Sequence, residues 1–169
     1  AGAPLVPGTK DPVGGPEAMN EYRKRFKASE GLTQPQGSVG IFAFCADTEE
    51  KAAQVQAVMD YRLLSILKGK MDEAPSYQSI KSYQYSSEEL RHVQYNRKRM
   101  IVGTRDTVKA NMLALARTFA VEELVLATFA DTNEDRLRSY ELLAEIFDLK
   151  TGAPARASSR RNCAFPPIT

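Results

Sequence analysis

Met100 to Leu149 reads MIVGTRDTVKANMLALARTFAVEELVLATFADTNEDRLRSYELLAEIFDL, and this stretch decides the fold class. It reads as a turn and a helix, then a short buried strand, then a second capped helix. Thr104 stands where its hydroxyl can accept a backbone N–H two or three residues on, as a helix cap does. Met112, Leu113, Leu115, Ala116 and Phe119 recur at helical spacing. Glu123 to Phe129 is an apolar run too short for a helix, which predicts a strand buried on both faces. Asp131-Thr132-Asn133-Glu134-Asp135 follows. Thr132 and Asp135 have capping-box spacing, with a carboxylate where the helix dipole favours one. Leu137, Tyr140, Leu143, Ala144 and Phe147 make the next apolar stripe. Strand, acidic cap and helix form a βα unit, and ligands of such units gather at the loop leaving the strand.

The same order occurs upstream. Ser38 to Ala46, SVGIFAFCA, is apolar on both faces, which suits the middle of a parallel sheet. Asp47 and Glu50 stand at capping-box spacing, and a helix runs to about Lys68 before Gly69 stops it. Ala46-Asp47-Thr48 and Ala130-Asp131-Thr132 match residue for residue, a short internal repeat that marks βα units of one kind. Glu17 to Lys27 is a short amphipathic helix with Met19, Tyr22 and Phe26 on one side. Residues 1–16, with four prolines and four glycines, read as a disordered leader. Lys70 to Gln84 is a long polar excursion. Glu88 to Lys98 is a further helix, leading into Met100-Ile101-Val102. Residues 150–169 lack periodicity and read as a disordered tail, which leaves 17–149 as the folded unit.

At 169 residues the chain has room for one domain. A formal charge of +2 gives no reason to expect nucleic acid. No apolar run approaches the roughly 20 residues that span a bilayer, and no secretory signal stands at the N-terminus, so neither a membrane nor export is expected. Cys45 and Cys163 read as free thiols in a reducing, cytoplasmic setting. With no CxxC, no HExxH and a single histidine, no protein-built zinc site is expected.

Only two strands are legible among four or five helices. Two parallel strands apolar on both faces do not make a sheet that stands alone. A closed (β/α)₈ barrel takes roughly 250 residues. The missing neighbours are therefore expected from a larger α/β fold or from a partner.

Four segments resemble the C-terminal half of the bacterial luciferase-like flavin-dependent monooxygenases. They are Glu21 to Phe26 (EYRKRF), Phe44 to Ala52 (FCADTEEKA), Tyr85 to Arg99 running into Ile101 to Val108 (IVGTRDTV), and Arg136 to Ala144 (RLRSYELLA). They occur in the family's order. Arg105 stands where many relatives carry proline. The resemblance implies an α/β fold that is part of a (β/α)₈ TIM barrel, with Val39–Cys45 and Leu124–Phe129 as its last two strands. It implies an oxidoreductase that uses reduced flavin (FMN, or a deazaflavin) and oxygen on a small organic substrate such as an aldehyde. The family's first five or six strands have no counterpart here, so the isolated chain is expected to be incomplete for catalysis and to form a homo- or hetero-oligomer that completes the sheet. The alternative is a non-catalytic scaffold or subunit that associates through exposed strand edges.

Phe44, Cys45, Ala46, Thr128, Phe129 and Ala130 end the two strands and are the candidates for lining a flavin or substrate pocket, against ordinary strand packing. No catalytic residue is singled out. Cys45 reads as a buried, inert thiol, since the charges nearest in sequence, Asp47, Glu49 and Glu50, would raise its pKa. Asp47 and Asp131 read as helix-start residues, and His92 as a surface histidine. Gly103-Thr104 reads as a glycine-assisted turn before a helix. Arg91, Arg97, Lys98 and Arg99, with Tyr95, read as a solvated helix face.

Overall fold

The structure, a computed structural model, describes residues 5–7, 15–70 and 75–149. In chain order the elements are β1 (Leu5–Pro7), α1 (Gly15–Arg25), β2 (Ser38–Ala46), α2 (Glu49–Leu67), α3 (Tyr77–Ile80), α4 (Ser87–Arg97), β3 (Met100–Thr104), α5 (Arg105–Phe119), β4 (Glu123–Ala127) and α6 (Asn133–Ile146). The four strands form one parallel sheet with β2 at its centre. β3 pairs with the second half of β2, from Phe42↔Met100 to Ala46↔Thr104. β4 pairs with the first half along the other edge, from Ser38↔Glu123 to Phe42↔Ala127. β1 pairs with Ser38–Gly40 on β3's side.

This order overturns the partial (β/α)₈ barrel. In such a barrel each strand lies beside the next in sequence, so β3 and β4 would be neighbours. Here β2 stands between them. The described residues form a small helix-flanked parallel sheet, an α/β arrangement without barrel topology. Two of its strands escaped the sequence reading. Met100–Thr104, expected as a turn, is β3, and Leu5–Pro7 lies within the expected leader. Residues 150–169, the expected tail, lie outside the described residues, as does Cys163.

β2 is buried on both faces, as expected, and its alternation builds two cores. Val39, Ile41, Ala43 and Cys45 pack with Met19 of α1, with Val108, Met112, Leu115 and Phe119 of α5, and with Leu142 and Leu143 of α6. Phe44 and Ala46 face the other way, against Ala52, Val55 and Met59 of α2 and Met100 of β3. β4 departs from expectation. Leu124 and Leu126 pack on the first core, but Val125 is 46% exposed, so one face of β4 is open.

Several caps also differ in detail. Thr48, not Asp47, caps α2, its hydroxyl accepting the Lys51 N–H at 3.1 Å. Thr132 caps α6 as expected, accepting from Asp135 at 3.1 Å. Thr104 makes no side-chain cap bond; its hydroxyl donates to Glu49 at 2.7 Å. Ser86 and Glu89 form a complete capping box at the start of α4. Gly103 sits inside β3, not in a turn, and a Cβ there would come within 2.9 Å of the Thr107 side chain on α5.

Candidate functional site

The C-terminal ends of β2, β3 and β4 point the same way, as parallel pairing requires, and this end of an α/β sheet is where ligands bind. Alternation decides which strand-end residues can meet there. Phe44 and Ala46 are buried under α2, and Cys45 is buried on the opposite face. These three do not share a surface. Ala130 packs half-buried against the α2 side. Thr128 is buried, and its hydroxyl has no hydrogen-bond partner among the described residues. Of the six candidates, Phe129 lines a cavity.

That cavity, about 200 Å³, is lined by Phe42, Met59, Arg62, Leu63, Ile66 and Phe129. The Phe42 and Phe129 rings meet at 5.1 Å between centroids, tilted by 52°. The Arg62 guanidinium carbon stands 5.7 Å from the Phe129 ring centre, within reach of a cation–π attraction. α2 supplies Met59, Arg62, Leu63 and Ile66, spaced three, four and seven residues apart so that one helical face carries them all. That spacing was legible in the sequence; its pairing with Phe42 and Phe129 was not.

The open ends of the strands carry an ion-pair network. Asp47 accepts from Arg138 at 2.9 and 3.0 Å and meets Arg105 at 3.2 Å. Arg105 also reaches Glu145 at 3.2 Å, and Arg138 reaches Glu141 at 3.0 Å. The Arg138 hydrogen bond leads in holding the Asp47 carboxyl below its ordinary value, and Asp47 in turn raises Arg138. Asp47 is thus an ion-pair hub joining β2 to α5 and α6, where the sequence suggested a helix-start residue. Burial pushes the Cys45 thiol up, and Arg105 pulls it back only in part, so the thiol is an inert one.

A second, more open cavity of about 490 Å³ lies between α2 and α4, with Lys68, Ser86, Glu88, Glu89 and His92 on its wall. His92 is exposed there. Arg97, expected on a solvated face, instead binds the buried Asp60 through Nε and Nη2 at 2.9 and 2.5 Å. Among the described residues no group of three or more His, Cys, Asp or Glu side chains could hold a metal ion. No helix among them is long and apolar enough to cross a membrane.

No family model matches this chain. It is 42% identical over 135 residues to YwcH of Bacillus subtilis (strain 168), an uncharacterized protein, covering 79% of this chain and 40% of that one. It is 32% identical over 137 residues to YceB of the same organism, also uncharacterized, covering 81% and 41%. Among solved structures it is similar to the crystal structure of apo-MsnO8, with a TM-score of 0.70 and 27% identity over 79% of this chain and 41% of that one. The chain thus spans about two fifths of the length of the proteins it matches.

Proposed function

We propose that the chain serves a luciferase-like, flavin-dependent oxidoreductase that acts with reduced flavin and oxygen on a small organic substrate. The observation that carries this reading is the apolar, aromatic pocket of Phe42, Met59, Leu63, Ile66 and Phe129 beside the C-terminal end of β4. Such pockets with one or two placed polar groups are the usual form of small-molecule sites. The four resembling segments support the assignment of chemistry. A cytoplasmic setting accords with Cys45 being a free thiol.

The described residues fit a small apolar molecule and do not fit a whole flavin mononucleotide. The cavity is below the roughly 300–1,000 Å³ of ordinary ligand pockets. The guanidiniums at the strand ends, Arg105 and Arg138, are already neutralised by Asp47, Glu141 and Glu145, which leaves neither for a phosphate. On this reading the chain supplies the substrate's apolar wall and the flavin is held by other polypeptide. The direct test is flavin absorbance retained by the protein after FMN is added and the excess removed, alone and with its natural partner. Retention in either case is expected, and failure in both sinks the reading.

A second reading, a non-catalytic subunit in a homo- or hetero-oligomer that completes the sheet, is favoured by one observation. Among the described residues β4 pairs only with β2, and its open face carries the exposed Val125. Light scattering on the purified protein distinguishes an oligomer, as this reading requires, from a monomer.

A further inference from the structure

We infer that the pocket between α2 and β4 binds a small amphiphilic monoanion, with its apolar tail against Phe42, Met59, Leu63 and Phe129 and its carboxylate on Arg62. This deepens the proposed function by naming a ligand class, and rests on it only in treating that ligand as a substrate.

Arg62 is the one charged group in the cavity wall. It is half-buried, where a guanidinium loses hydration that an anion can replace. Several other arginines of the chain have oxygen partners: Arg97 has Asp60, Arg105 has Asp47 and Glu145, Arg138 has Asp47 and Glu141, and the half-buried Arg23 donates to the carbonyls of Phe119 and Ala120. Among the described residues Arg62 has only the Phe129 ring. That contact draws on the cation's charge and takes up no oxygen acceptor, so the N–H donors stay available for a carboxylate, which they can grip with two parallel bonds. The remaining wall is apolar, so a ligand that is charged throughout would lose hydration there without return. The volume of about 200 Å³ holds roughly six or seven water-sized groups at about 30 Å³ each, which sets the tail near six carbons.

The test is a titration of the purified, flavin-free protein with hexanoate, hexanol and hexylamine, followed by saturation-transfer NMR of the ligand. Hexanoate is expected to bind at least about tenfold more tightly than hexanol, as a charge-assisted pair implies, and hexylamine to bind least. Arg62→Gln removes the preference of hexanoate over hexanol, while Arg62→Lys keeps part of it. Phe129→Ala weakens both. Thermal melts of each variant establish that it is folded. Equal binding of hexanoate and hexanol, no binding of hexanoate, or an Arg62→Gln protein that keeps the preference overturns the inference. Because no flavin is present, hexanoate binding through Arg62 stands even if FMN is not retained, and its failure leaves the flavin result unaffected.

Discussion

The backbone N–H of Cys45 donates to the Ser139 hydroxyl at 2.9 Å, a buried bond between residues 94 apart in sequence. β4 stops pairing with β2 at Phe42↔Ala127, so among the described residues no strand carbonyl lies beyond that point on β4's side. Ser139 of α6 supplies the missing acceptor and pins the helix to the end of the central strand. The serine is fully buried, one turn before Leu142 and Leu143 on the core face of α6.

Ser139→Ala therefore leaves a buried N–H without a partner. The expected loss is about 1–3 kcal/mol of unfolding free energy. Urea unfolding of the two proteins side by side measures it, and equal midpoints would show that water or a shifted backbone replaces the hydroxyl.

Asp60 is only 2% exposed, with Arg97 on Oδ2 and Gln56 on Oδ1 at 2.9 Å. Burial pushes its carboxyl above the ordinary value of 3.8, and Arg97 pulls it back only in part. A carboxyl raised in the folded state stabilises the protein below its ordinary pKa and loses that contribution as pH rises through the folded value. Arg97→Met raises Asp60 further and leaves its charge uncompensated. The expected deficit at neutral pH is about 2–4 kcal/mol, less than for a fully buried pair because Arg97 is itself half-exposed. The deficit should shrink as the pH is lowered towards about 4, where the carboxyl can accept a proton. Melting curves across that range would contradict this account if the deficit were constant.

Glu89 shows the opposite sign. Lys68 foremost, then the Ser86 N–H at 2.6 Å and the Tyr83 hydroxyl at 2.7 Å, hold its carboxyl down at about 2 from 4.5. Its contribution is present above 4.5 and is lost as pH falls through about 2. Glu89→Gln should lower the melting temperature at neutral pH and flatten its decline over that acid range. A variant with the same acid slope as the parent protein would place the acid sensitivity elsewhere.

Ala120 ends α5 at φ 49°, a left-handed conformation that favours glycine. Arg23 braces the turn by donating to the carbonyls of Phe119 and Ala120 at 2.9 and 2.6 Å. Ala120→Gly relieves the Cβ strain and is expected to stabilise the protein by about 0.5–1 kcal/mol. A thermal shift in the opposite direction would mean that the alanine methyl contributes packing worth more than the strain.

Local elements whose signals lie within one turn or one strand could be read from the residues alone. Val39 to Cys45 are apolar at every position, so β2 had to be central. Thr132 and Asp135 set the start of α6, but its buried face differs from the expected stripe: Leu137 and Tyr140 are exposed, and Leu142 packs on the core beside Leu143. β3 was hidden because Met100–Thr104 is short and runs directly into a helix, and β1 because three residues among prolines and glycines carry no period. Strand order was set by long-range packing. Parallel strands make the same backbone bonds with any neighbour, so nothing in Glu123–Ala127 says on which edge of β2 it will lie. Once β4 takes the edge opposite β3, the barrel is excluded, Val125 is left exposed, and Phe129 is brought over Phe42 beside Arg62. The pocket is the product of three separate segments, and its chemistry became legible only when the sheet fixed their distances.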